Sequence, residues 1–258
     1  MKQNKLKKII GEGGAGFGVI SPTTDPIICE YIGLMGMDFY MLDAEHGAIT
    51  ASDVTNMVRA CELRDTTPLA RIRSVDAKLI LQYMDAGVMG VMMPSIDNVD
   101  DVKRLVAAIK YPPMGKRGLG PVRAADYMQG PMGQEKYVSF SNEQTLVLPQ
   151  IESMECVRNL SEMCKIDGVD GFIIGPRDLA MSMGYYDGPG HDEVKKVLDD
   201  IFSTIKASDK WFGTVAGTAE QASGLVEKGA SLVMNSVQGL LKTSGNAFLK
   251  GRKELINK

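Results

Sequence analysis

Residues 145–174 read TLVLPQIESMECVRNLSEMCKIDGVDGFII, and the fold turns on them. The run TLVLPQI at 145–151 is aliphatic and short, which suits a buried strand. Ser153 then stands where a helix N-cap is expected, ahead of a helix-length segment at 153–164. After a turn, VDGFII at 169–174 is a second buried strand. Strand, helix and strand in that order form a βαβ unit, whose two strands run parallel.

The same alternation extends in both directions. Upstream, strands are expected at 16–20, 38–42, 67–71 and 89–93; downstream, at 211–215 and 231–235. Helices are expected at 52–64, 76–86, 98–110 and 192–207, with Asp97-Asn98 a clear start signal for one of them. Eight parallel strands with no midway linker predict a (β/α)8 TIM barrel, an α/β fold in a single domain over 1–258, with residues 1–15 a short N-terminal extension. An open doubly wound sheet is the alternative. The longest stretch without a pattern, 111–141, follows the fourth helix and should begin at the N-terminal face of the barrel. A loop of that length points to function or to an oligomer contact.

Composition removes several classes of function. The chain has 258 residues, 44% hydrophobic and 24% charged, with a formal net charge of −3, so it lacks the basic footprint of a nucleic-acid binder. No apolar run reaches the length of a membrane span. The basic N-terminus lacks the apolar core of a signal peptide, and a cytoplasmic enzyme is expected. Cys29, Cys61, Cys156 and Cys164 form no CxxC pair, which predicts four unpaired buried thiols. Residues 11–16, GEGGAG, fit the dinucleotide pattern GxGxxG. That pattern needs a strand before the glycines and a helix after them; here lysines precede and the strand-like FGVIS follows, so the order is wrong.

Barrel enzymes carry their chemistry at the C-terminal ends of the strands. The second strand runs into DAEHG at 43–47, which offers Asp43 and His46, an imidazole able to move a proton near neutral pH. A packed loop histidine among solvated acids is the plain alternative. The third strand ends at Arg71, a fixed positive charge that could stabilise an oxyanion or merely pair with an acid at the rim. In the fifth, the two-residue period puts Gln150 and Glu152 on one face. Just past the sixth, Gly175-Pro176 shapes a turn, and Arg177 and Asp178 fall where a helix begins; its free N–H groups suit a carboxylate. Glu152 and Asp178 together offer hard oxygen ligands for Mg²⁺ or Mn²⁺, although a helix cap and a rim salt bridge would use the same residues. His191, in a polar GPGH loop, reads as an exposed residue at a helix start.

Several of these stretches occur together and in order: DAEHG at 43–47, LARIR at 69–73, YMDAGVMGVMMP at 83–94, YPPMGKRGLG at 111–120, PQIES at 149–153 and VDGFIIGPRDLA at 169–180. The set resembles the HpcH/HpaI family of metal-dependent (class II) pyruvate aldolases, over roughly residues 16–240. The resemblance implies that Glu152 and Asp178 ligate the divalent metal, with Co²⁺ a further fit beside Mg²⁺ and Mn²⁺, and no organic cofactor. It implies that Gln150 contacts the pyruvate part of the substrate, that His46 accepts a proton and that Arg71 stabilises the transition state. Backbone N–H groups of Arg177 and Asp178 would hold the substrate carboxylate. Asp85 falls where the family has an acid that raises the basicity of the histidine. Yet Asp85 should end the helix after the third strand, on the opposite side of the barrel from His46, unless a neighbouring subunit or a bent helix delivers it. Chain geometry alone nominates Asp43 instead. A homo-oligomer, commonly a hexamer with exchanged last helices, is the implied assembly.

The sequence departs from the family at Arg177, where a small residue is usual, and matches it weakly over 117–141. The resulting expectation is reversible cleavage of a 4-hydroxy-2-oxo acid to pyruvate, or a close 2-oxo acid, and an aldehyde. Lysines are absent from the C-terminal ends of strands two to eight, which argues against an imine mechanism. A decarboxylase or other lyase using the same enolate, and a barrel that binds metal and 2-oxo acid without turnover, are the alternatives.

Overall fold

In the computed structural model, which describes residues 2–256, eight parallel strands close into one barrel in sequence order. They are β1 (Gly16–Ser21), β2 (Phe39–Asp43), β3 (Thr67–Arg71), β4 (Gly90–Met93), β5 (Leu146–Ile151), β6 (Gly171–Ile174), β7 (Trp211–Val215) and β8 (Leu232–Ser236). The closure is the pairing of β1 with β8, in which Gly18 lies opposite Met234. The open-sheet alternative therefore falls.

Around the barrel run α2 (Pro26–Leu34), α3 (Ala51–Leu63), α4 (Ala77–Ala86), α5 (Val99–Ile109), α7 (Met154–Met163), α9 (Asp192–Lys206) and α10 (Ala219–Glu227). The start signals act as expected. Asn98 accepts a hydrogen bond from the Asp101 N–H to open α5, and Ser153 accepts one from the Cys156 N–H to open α7. A short helix, α8 (Pro176–Ser182), begins directly after β6, and α11 (Val237–Ile256) follows β8 without a loop.

The strand period divides the core in two. Tyr40, Leu42, Val147 and Ile151 face the helices, in a layer that also takes up all four free, buried cysteines. Phe39, Met41, Leu69, Met92, Leu146, Leu148, Leu232 and Met234 point inward and fill the barrel. Glycine makes room for them. A Cβ on Gly18 would lie 2.6 Å from ring atoms of Phe39, so this wall position has to stay bare.

Two segments differ from the sequence reading. The N-terminal extension contains α1 (Lys5–Gly11), whose Leu6 and Ile10 join the barrel interior and close its floor. The GEGGAG glycines thus lie between a helix and a strand, the reverse of the dinucleotide order. The 111–141 stretch does start at the floor, but it is not all irregular: it holds a 3₁₀ turn (Arg123–Met128) and the first part of α6 (Gln134–Gln144). Only Tyr137, Ser141 and Asn142 are buried in α6, so no apolar stripe marked it as a helix.

Candidate active site

At the mouth of the barrel, β2 and β3 end in register, with Asp43 opposite Arg71. The Asp43 carboxylate accepts two bonds from that guanidinium, from Nε at 3.0 Å and Nη2 at 2.7 Å. It also accepts the backbone N–H groups of Glu45 (3.3 Å) and His46 (3.2 Å). Burial pushes the Asp43 carboxyl up, but Arg71 and the two N–H groups outweigh it and hold the group below its ordinary range. Arg71 is only 11% exposed, and its remaining arm, Nη1, lies 3.1 Å from Glu45 Oε2. That Glu45 oxygen is buried and close enough for ion pairing, yet it has no aligned hydrogen bond. Glu45 is a residue the sequence reading passed over. Its spacing of two from Asp43 is the same signal that joined Gln150 to Glu152.

On the facing wall, Gln150 Nε2 donates to Glu152 Oε2 at 2.6 Å, as their shared strand face predicts. The other Glu152 oxygen accepts the backbone N–H of Ser95 at 2.6 Å. Ser95 is a second residue that sequence did not reveal. It adopts φ +54°, a left-handed conformation unusual for serine, and this turn after β4 aims its N–H at the carboxylate. Gly175 completes the wall. A Cβ there would lie 2.8 Å from Gln150 Nε2, 3.5 Å from Glu152 Cβ and 3.7 Å from Asp178 Oδ2. Glu152 and Asp178 therefore both come within 4 Å of one bare point of backbone. Burial raises the Glu152 carboxyl, the Ser95 N–H partly offsets this, and the charges of Glu45 and Asp178 raise it further. Glu152 thus feels two further acids, Glu45 and Asp178, as well as the Arg71 guanidinium, which is already paired with Asp43 and Glu45.

Arg71, Gln150, Gly175, Pro176, Arg177 and Asp178 border a cavity of about 430 Å³. A second cavity of about 440 Å³ opens at the opposite end of the barrel, between Arg117, Arg123 and Tyr137. The mouth is the better candidate, because the strand ends deliver its side chains and its carboxylates act on one another.

The remaining predicted residues are placed as follows. His46 sits on the rim, 69% exposed, its Nε2 3.9 Å from Glu45 Oε2. Asp85 is not part of the site within this chain. It lies at the floor end of α4, where its Oδ1 accepts Arg117 Nη2 at 2.9 Å, because a helix that follows a strand runs back toward the floor. His191 precedes α9 as expected, bonded to Asp187 at 2.7 Å and stacked on Tyr185.

A closed parallel barrel with acids, an amide and a clamped guanidinium at its C-terminal mouth has the architecture of a barrel enzyme. The family model for HpcH/HpaI aldolase/citrate lyase matches residues 17–243, and the chain belongs to that family. It is 30% identical over 240 residues to the 2-keto-3-deoxy-L-rhamnonate aldolase of Salmonella gallinarum (strain 287/91 / NCTC 13346), covering 93% of this chain and 89% of that one. Among solved structures, the HpcH/HpaI aldolase from Desulfitobacterium hafniense DCB-2 superposes with a TM-score of 0.91 at 26% identity, covering 96% of each chain. The citrate synthase SbnG superposes with a TM-score of 0.88 at 25% identity, covering 99% of this chain and all of that one. The protein is an aldolase-class carbon–carbon lyase.

Proposed function

We propose that this lyase reversibly cleaves a 4-hydroxy-2-oxo acid into pyruvate, or a close 2-oxo acid, and an aldehyde. The observation that carries the reading is the closeness of Glu152 and Asp178, which both approach the bare backbone of Gly175 and act on each other's charge, at a cavity that Asp178 and Arg71 border. Sugar-acid substrates of this class appear in the name of the rhamnonate-type relatives.

The residues fit a divalent cation. Glu152 and Asp178 are hard oxygen donors, and Glu152 is destabilised as an anion by burial and by its acidic neighbours, a cost that a cation would remove. Among the described residues no three of His, Cys, Asp or Glu form a complete cage, so a cation there would rely on substrate and water for its other ligands. Glu152 and Asp178 would hold Mg²⁺ or Mn²⁺, which would supply positive charge to offset the negative charge that builds up as the C3–C4 bond breaks.

The side chains of the protein do the rest. Arg71, fixed by Asp43 and Glu45, presents a preorganised donor to the forming oxyanion without having to reorient during the reaction. Gln150 uses one N–H to hold Glu152 and keeps a second for the 2-oxo acid. The unpaired backbone N–H groups of Arg177 and Asp178, behind Pro176 in the first turn of α8, hold the substrate carboxylate. His46 takes the proton of the C4 hydroxyl, through water given its position on the rim. Asp85 could assist His46 only from a second subunit. Apolar residues left exposed on α11, Leu241 and Phe248, support self-association.

A second reading is favoured by one observation, the exposure of His46 outside the cavity wall. Decarboxylation of a 2-oxo diacid needs the same enolate stabilisation but no base for a C4 hydroxyl. His46→Ala separates the two, since it abolishes aldol cleavage and spares decarboxylation. The direct test incubates the protein with Mg²⁺ or Mn²⁺ and a panel of 4-hydroxy-2-oxo acids and follows pyruvate release. Release that EDTA stops and that borohydride leaves intact is the expected result. Inactivation by borohydride, with indifference to chelator, contradicts it.

A further inference from the structure

Two guanidinium groups border the mouth cavity, and they differ in one respect. Arg71 is paired with two acids, Asp43 and Glu45. Arg177 is exposed and, among the described residues, has no carboxylate within ion-pair distance, even though Asp178 is its neighbour in sequence. Helix geometry explains the separation. Successive side chains on a helix point about 100° apart, so Asp178 turns toward Gly175 and Glu152 while the Arg177 side chain goes elsewhere along the cavity rim. An unpaired cation beside a site this rich in acid is not explained by holding the protein together.

We propose that the Arg177 side chain is a specificity-determining group that binds a second carboxylate on the substrate, at the end remote from the 2-oxo group. The inference rests on the aldolase reading for where the 2-oxo acid lies. In that reading the first carboxylate sits on the backbone N–H groups of Arg177 and Asp178, at the root of the side chain. The guanidinium stands at the end of a flexible four-bond tether, beyond the reach of its own backbone N–H, and so addresses a group farther along the ligand. The lining also includes Pro189, Val215, Met234, Asn235 and Ser236, which carry no charge, so among the described residues that line the cavity Arg177 is the one cation without an acidic partner. A planar guanidinium matches a carboxylate through two parallel hydrogen bonds. The cavity, about 430 Å³, is of the size that takes a ligand of this kind. The substrate class is then a 2-oxo diacid, not a neutral sugar-derived chain.

Binding tests this without requiring turnover. With Mg²⁺ present, 2-oxoglutarate and 2-oxohexanoate, alike in length but differing in the charge at the far end, are titrated calorimetrically into the wild-type protein and the Arg177→Ala and Arg177→Lys variants. Wild type should prefer the diacid by about tenfold, a half-exposed charge-assisted pair being worth roughly that much. Arg177→Ala should bring the ratio close to one, and Arg177→Lys should retain part of it. The ratio cancels any general loss of binding, and unchanged thermal melting confirms that the variants fold. Equal wild-type affinities, or a preference that survives Arg177→Ala, overturns the proposal. So does an equal loss on both ligands, which would assign the guanidinium to the 2-oxo end. Tighter binding of a phosphonate-tailed analogue than of the diacid overturns the choice of carboxylate. If the preference holds but no hydroxy-oxo acid releases pyruvate, the aldolase reading fails and the charge selectivity stands.

Discussion

The two ends of the barrel treat buried charge in opposite ways. At the floor, Lys110 is almost wholly buried, yet its Nζ donates to the carbonyls of Asn142 (2.8 Å) and Thr145 (2.6 Å) and lies 3.7 Å from Asp170. Asp170 in turn takes Lys7 at 2.7 Å and the Val147 N–H at 2.9 Å, and Asn4 ties α1 to Gln144. Each charge there has a partner of the other kind, although burial still pulls the pKa of the Lys110 ammonium down to about 8. At the mouth, Arg71 is already taken up by Asp43 and Glu45, and Glu152, beside Glu45 and Asp178, is a poorer anion for that company. The floor is built for stability, whereas the mouth stores unfavourable electrostatics that a bound cation and substrate would relieve.

Substitutions at the two ends should therefore separate activity from stability. The largest effect is expected at Glu152. Glu152→Gln should lower kcat by at least about 10³-fold, as expected for loss of a charge-stabilising group at a reacting centre, while the melting temperature stays level or rises. A variant that melts earlier and keeps its activity would reverse the contrast. Arg71→Lys should cost about 10²–10³-fold in kcat, because an ammonium cannot hold Asp43 through two parallel bonds. Leu6→Ala, at the sealed floor, should cost about 2–5 kcal/mol in denaturant unfolding and leave the KM for the oxo acid unchanged.

The smallest effect sharpens the same contrast through pH. Asp43 is depressed below its ordinary value of 3.8, so its contribution to stability is complete above that value and is lost as pH falls through the lower folded value. Glu152 is raised, so it disfavours folding at neutral pH and stops doing so as it takes up a proton. Acid titration monitored by circular dichroism should show wild type losing its stability advantage over Asp43→Asn as pH falls below the ordinary carboxylate range. Glu152→Gln should instead gain on wild type as pH rises through the raised value. Identical acid profiles for both variants would show that the two carboxylates share one environment.

How far the sequence could be read follows from what each feature depends on. Strand order and the period-two faces are local, so TLVLPQI located both the barrel wall and the Gln150–Glu152 pair before any tertiary contact was known. The Asp43–Arg71 clamp depends on the register between β2 and β3, which no single strand encodes. Ser95 works through its backbone N–H and an uncommon φ, and serine is not a residue that advertises either. α1 was legible only as an extension because its task, filling the barrel floor with Leu6, appears once the barrel is closed. Asp85 shows the limit from the other side. Its place at the floor end of α4 was plain from chain direction, and the structure pairs it there with Arg117, which is 1% exposed.

Metal binding is where the account is most directly exposed. Mn²⁺ titrated into wild type, Glu152→Gln and Asp178→Asn, with free ion followed by electron paramagnetic resonance, should show one site per chain that both variants lose. Wild-type affinity in either variant would mean that the two carboxylates do not share a cation, and the proposed chemistry at the mouth would not stand.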